Sequence, residues 1–148
     1  MKKVTFKSPL DKITAFWEKT DDGAIQRTIS KSQRLILPIK KDWFEMIKSG
    51  EKDEEYREIK LFYVKKFIKY SMNEKPFNIL NPENIEKVKR DLNRYPIHYD
   101  FIQFRNGYSK NSPIIWVECK SIEIGVGMYN LGAPNYPVFI IKLGRVLN

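Results

Sequence analysis

Residues 37–58 read LPIKKDWFEMIKSGEKDEEYRE, and the spacing of apolar side chains changes period in the middle of this stretch. Asp42 is placed to cap a short helix, with Glu45 three residues later as in a capping box. Trp43, Met46 and Ile47 supply the i, i+3, i+4 apolar stripe, and Gly50 ends the helix. After Gly50 the period falls from 3.6 to 2. That change puts Asp53, Glu55 and Arg57 on one face of a strand and Glu54, Tyr56 and Glu58 on the other. Glu55 and Arg57 then project side by side, roughly 7 Å apart by strand rise. Lys52 enters from the helix-to-strand corner, so three ionisable side chains converge where the two elements meet.

Upstream, residues 33–39 carry apolar side chains on both faces, as a buried first strand would, and Pro38 makes that strand an edge or ends it. Residues 1–32 have no clean period and contain the breaker cluster Asp21-Asp22-Gly23. They read as a basic N-terminal extension, either pinned to the domain by Phe16 and Trp17 or left as a mobile arm. Downstream, residues 59–70 are helical in pattern, with Leu61, Val64 and Ile68 as the stripe, Ile59, Phe62 and Tyr63 widening it, and Lys60, Lys65, Lys66 and Lys69 outside. Asn81-Pro82-Glu83 supplies an N-cap, an N1 proline and an acidic first turn to a second helix, whose inner face is Ile85, Val88 and Leu92. From Tyr99 the chain turns β-like: residues 99–105 alternate, Asn106-Gly107 signals a turn, and residues 114–124 form a long strand. An antiparallel hairpin with an eight-residue connection follows. Residues 125–137 are a loop rich in Gly, Asn and Pro, and residues 138–146 close the sheet.

The run Gly50-x-Lys52-x-x-Glu55-Tyr56-Arg57 after a short helix resembles the signature of the ASCH domain, a small β-barrel similar to the PUA RNA-binding domain. Asp100-Phe101-Ile102-x-Phe104-x-Asn106-Gly107-Tyr108, Ile115-x-Val117 and Phe139-x-Ile141-x-Leu143-Gly144 resemble its later strands in the same order. Together these segments cover about residues 34–146. The resemblance implies an α+β fold: a PUA-like barrel over residues 33–148, a short helix at its mouth, and an inserted pair of helices at about 59–93 in place of a shorter connection. It also implies that Lys52, Glu55 and Arg57, with Arg105 and Tyr108, line or lie near a cleft between the barrel and the short helix. One branch of the family hydrolyses an acetyl amide on modified cytidine with a Lys, a Thr three residues after it and a distant Glu. Here Lys52 is kept but Glu55 stands at the Thr position, which removes the hydroxyl nucleophile.

Composition bounds the function independently. The 148 residues, 42% of them hydrophobic, suffice for one domain with a real core. No run approaches a membrane span and the N-terminus has no signal-peptide apolar segment, so a soluble, cytoplasmic protein is expected. One His and one Cys cannot assemble a conventional zinc site, and no cofactor is expected. Cys119, in an apolar strand, reads as a small core hydrophobe rather than a nucleophile. The formal net charge is +9. Residues 1–36 carry 8 basic and 4 acidic side chains, and residues 61–90 carry 7 and 3. Such a surplus points to a polyanion.

Three functions are compatible with this reading. The first is binding of RNA, or a nucleotide from it, with DNA as an alternative ligand; Lys52 and Arg57 contact phosphate, Glu55 accepts from a base edge or holds Arg57, and Tyr108 stacks on a base. The second is a small hydrolase of a modified nucleoside or of RNA, with Lys52 and Glu55 catalytic. The third is a protein-binding module, such as a phage-encoded inhibitor of a nucleic-acid-handling complex. The bland counterpart to all three is a Glu55–Arg57 ion pair that braces the fold, with Lys52 at the helix C-terminus.

Overall fold

In the computed structural model the backbone is described for residues 4–6, 14–20, 23–29, 34–69 and 82–147, and the side chains for 34–69 and 84–147. The fold is α+β. A three-stranded antiparallel sheet is made by β1 (Val4–Phe6), β2 (Thr14–Thr20) and β3 (Gly23–Ile29) in the order β1-β2-β3. These strands occupy the segment in which the sequence shows no clean period. The register of β2 and β3 runs to the pair Thr20 and Gly23. The roles expected for Phe16 and Trp17 lie outside the described side chains.

The remaining strands are β4 (Arg34–Pro38), β5 (Glu54–Arg57), β6 (Phe101–Arg105), β7 (Ile114–Gly125) and β8 (Val138–Leu147). They form a five-stranded sheet of order β4-β6-β7-β8-β5, in which β4 and β6 are parallel while β6 pairs with β7, and β5 with β8, antiparallel. The described residues also form three α-helices, α1 (Lys41–Ser49), α2 (Leu61–Phe67) and α3 (Pro82–Arg94), and a short 3-10 turn at Tyr129–Leu131. No helix among the described residues is long and apolar enough to cross a membrane. The chain clusters into two compact units. One comprises residues 1–52, 99–119 and 144–148, the other residues 53–98 and 120–143.

In the first unit the pleat sorts side chains by row. Leu35, Ile102 and Val117 lie opposite one another, as do Leu37, Phe104 and Ile115, and all six are at most 3% exposed. The other face of β4 is open, with Ile36 51% exposed. That corrects the expectation of a first strand buried on both faces; β4 is an edge strand, and it ends at Pro38, which has no N–H to donate. Residues 101–104 do not alternate in burial: Phe101 and Gln103, on the face opposite Ile102 and Phe104, are buried too. The expected hairpin is present, with residues 106–113 joining β6 and β7.

Helix α1 starts two residues earlier than the capping-box reading requires. Its N-cap is Lys40, with no side-chain cap, and Asp42 lies inside the first turn, where its charge favours the positive end of the helix dipole. Gly50 terminates α1 at φ 85°, a backbone conformation that glycine adopts without a Cβ clash, and its N–H bonds the Ile47 carbonyl.

In the second unit α2 is shorter than the helical pattern of residues 59–70, and its buried face is Tyr63, Val64 and Phe67 rather than a stripe starting at Leu61. Leu61 and Phe62 are 46% and 58% exposed. Lys69 donates its N–H to the Tyr95 carbonyl and Ile97 donates to the Phe67 carbonyl, which fastens the end of α2 to the end of α3. Val88 and Leu92 are the buried residues of α3's expected face, with Ile85 half-buried. The N-cap assigned to Asn81 lies outside the described residues.

Candidate functional site

Strand β5 carries a polar network in the second unit, and its two faces do different things. Pairing with β8 sets Glu55 opposite Ile141 and Arg57 opposite Phe139, both fully buried apolar residues. Glu55 and Arg57 therefore point into an apolar environment, and they meet there: Arg57 Nη2 donates to Glu55 Oε2 at 2.7 Å, with side-chain exposures of 12% and 8%. The second guanidinium nitrogen, Nη1, donates to the Tyr63 hydroxyl at 3.0 Å, and the Tyr56 N–H donates to Glu55 Oε1 at 3.0 Å. Burial acts against the charge on Arg57, but the Glu55 carboxylate and the Tyr63 hydroxyl outweigh it and raise the pKa above the usual guanidinium value. Tyr63 is also stacked on Phe67 at 5.9 Å, and Phe67 meets Phe139 edge-on at 4.8 Å, so the ion pair is walled by aromatic rings.

The opposite face of β5 holds the loop of residues 126–137. The Tyr56 hydroxyl donates to Glu54 Oε1 at 2.8 Å and accepts the Met128 N–H at 3.1 Å, and Lys142 on β8 forms an ion pair with Glu54. Burial first, and the neighbouring Glu54 carboxylate with it, push the Tyr56 phenol up to about 12, although the Met128 N–H acts the other way. Gly127 packs on the Tyr56 ring so closely that a Cβ there would lie 2.3 Å from a ring carbon. Just beyond the strand, Glu58 accepts the Tyr136 hydroxyl at 2.6 Å.

In the first unit Lys52 is 2% exposed. Its N–H bonds the Met46 carbonyl, one of the last acceptors of α1, and its Nζ lies 4.8 Å from the centroid of the Trp43 ring. Arg105 ends β6, half-buried, and its Nη2 donates to the Ser109 carbonyl at 2.9 Å. The turn that follows is cross-linked. Asn106 Nδ2 donates to the Ile39 carbonyl, the Asn106 N–H to the Pro113 carbonyl, and the Ser109 N–H to Ser112 Oγ. This scaffold leaves Tyr108 90% exposed at its tip.

Each residue singled out from the sequence thus has a defined place. Glu55 and Arg57 are brought together, Lys52 is packed on Trp43, and Arg105 and Tyr108 belong to the hairpin turn. Sequence reasoning missed Tyr63 as Arg57's second acceptor; its only signal was membership in the apolar stripe of α2, which reads as packing. Cys119 is half-buried, and burial together with Asp100 pushes its thiol up to about 11, so the thiolate that nucleophilic chemistry needs is scarce at neutral pH. A shallow furrow bordered by Glu86, Lys89, Arg90, Asn93 and Arg94 runs along α3 alone and encloses no convergent groups. Comparison with models of known protein families, with curated proteins and with solved structures returns no match. The likeness to the ASCH domain therefore rests on the motif residues themselves.

Proposed function

We propose that the chain is an RNA- or nucleotide-binding protein of the ASCH family, with a PUA-like barrel, and that Arg57 is its central phosphate contact. The observation that carries this reading is a charged pair on the apolar face of β5. Well-packed hydrophobic residues of similar volume stabilise such a position as well as an ion pair or better, so stability alone gives no reason for Glu55 and Arg57 to be there. A guanidinium held by Glu55 and Tyr63 is oriented before any ligand arrives, and its planar fork suits a phosphate. Within the first unit, taken by itself, Lys52 and Arg105 are assigned to phosphate and Tyr108 to base stacking, the last in keeping with its 90% exposure. The +9 charge supports a polyanionic ligand. The hydrolase reading keeps Glu55 as its base, held by Arg57 at Oε2 and by the Tyr56 N–H at Oε1, and product analysis separates it from the binding reading.

The test is binding of short single-stranded and duplex RNA and DNA at two salt concentrations, with product analysis on the same samples. Wild type should bind with an affinity that falls as salt rises and return the nucleic acid intact. Arg57→Lys, which keeps the charge but loses the fork, should weaken binding, and Tyr108→Ala should weaken single-strand binding without touching the fold. A flat salt response with both variants equal to wild type would sink the proposal. Cleaved or deacylated product would move it to the hydrolase class.

A further inference from the structure

Between Glu58 and Glu74 the sequence contains four lysines, Lys60, Lys65, Lys66 and Lys69, and no acidic residue. Helix α2 sorts this stretch cleanly. Tyr63, Val64, Phe67 and Ile68 are buried, while Leu61, Phe62, Lys65, Lys66 and Lys69 are exposed. Phe62, Lys65 and Lys66 stand at i, i+3 and i+4, so they share one side of the helix, and Lys69 follows in the extended residues just after it. Phe62 keeps 58% of its surface in contact with solvent, and the Lys66 ammonium lies 5.6 Å from its ring centroid.

The line continues past the end of the helix. Ile68 pairs with Pro96 in an antiparallel bridge, and the Lys69 N–H bonds the Tyr95 carbonyl, so Lys69 and Tyr95 lie opposite one another. Residues opposite each other in an antiparallel pair project from the same side. Tyr95, 49% exposed, therefore stands beside Lys69 on the outer surface. The result is a strip in which an exposed aromatic residue, three lysines and a second exposed aromatic residue follow one another.

We propose that this strip binds single-stranded nucleic acid, with phosphates on Lys65, Lys66 and Lys69 and unstacked bases on Phe62 and Tyr95. A run of cations with an exposed ring at each end offers a strand both a track for its phosphates and surfaces for its bases, and every base offers a π-face. A duplex engages the lysines but keeps its bases stacked away from the rings. An anionic membrane needs a free apolar face on the helix opposite its cations, and the apolar face of α2 is already buried in its own unit. The proposal goes beyond the Arg57 reading and stands on different residues.

The experiment is a fluorescence-anisotropy titration of the full chain with labelled short oligouridylate and oligothymidylate, with a duplex of equal length, and with phosphatidylserine vesicles. The variants are Phe62→Ala, Phe62→Leu and Lys65→Gln with Lys69→Gln, and their thermal unfolding is compared with that of wild type. Both Phe62 variants should bind the single strands about tenfold more weakly and leave duplex binding unchanged. The double lysine variant should reduce the slope of log K against log salt by about 1.4 for single strands. Wild-type affinity in the Phe62 variants, equal effects on duplex and single strand, or binding to vesicles alone would overturn the assignment. Loss in Arg57→Lys with none in these variants removes the α2 strip and leaves the β5 reading standing. The reverse pattern removes the β5 reading and leaves the strip.

Discussion

The two faces of β5 carry similar residues to different ends. One face holds Glu55 and Arg57 among Ile141, Phe139 and the ring of Tyr63, nearly out of reach of water; the other holds Glu54 and Tyr56 against Lys142 and the backbone of Met128, partly exposed. In the first case the charges depend on each other, because little solvent is present to replace a missing partner. In the second, water can substitute. The difference shows that the worth of a carboxylate is set by its surroundings and not by its type or by the shortness of its hydrogen bonds.

Replacing Glu55 alone is the strongest way to break this comparison. Glu55→Leu leaves the Arg57 guanidinium buried beside Phe139 without its carboxylate, and should cost about 3–5 kcal/mol in urea unfolding. Glu55→Leu combined with Arg57→Met should recover most of that loss. A single variant as stable as wild type would show that the pair is not buried in solution. Next in size is Gly127→Ala on the other face. The new Cβ would collide with the Tyr56 ring and with the Ala133 methyl, so the loop must shift, at about 1–3 kcal/mol.

Tyr56→Phe removes one donor and one acceptor from a half-solvated site and should cost about 0.5–1.5 kcal/mol. It also sharpens the comparison through pH. With the folded phenol at about 12 against an ordinary 10.0, the folded state holds the proton that the unfolded state gives up. The contribution of Tyr56 is therefore fully present below pH 10 and is lost as pH rises towards 12. Subtracting the stability profile of Tyr56→Phe from that of wild type should leave a difference that is flat below pH 10 and falls above it. The smallest effect belongs to Tyr136→Phe. Its bond to Glu58 is on the exposed rim, and the unfolding midpoint should not move, although amide exchange at Asn135 and Tyr136 should quicken.

Much of this was legible in the chain. Gly50 as the stop of α1, the opposed faces of residues 53–58, the eight-residue hairpin and the basic outer face of α2 all follow from local spacing. Other features were not. Capping at residue 42 rested on residue type, yet the backbone turns helical at Lys41 because Phe44 and Ile47, both buried, fix where the helix lies. Strand β4 looks buried on both faces because Ile36 is apolar, but whether an apolar residue is covered depends on what packs above it. Phe62 was read as widening a core stripe; it is exposed because Tyr63, Val64 and Phe67 already fill the inner side of a helix of seven residues.

By itself the sequence determined which side chains share a face, since strand and helix periods are properties of the backbone and need only a few neighbouring residues. It placed Glu55 beside Arg57 and lined up the lysines of α2. Only the tertiary structure decided that Tyr63 would take the second nitrogen of Arg57, that Phe139 would stand across from it, and that Tyr95 would extend the lysine strip. Those partners come from other elements, and burial, which turns a surface ion pair into one the fold depends on, is a property of packing between elements that no local period encodes.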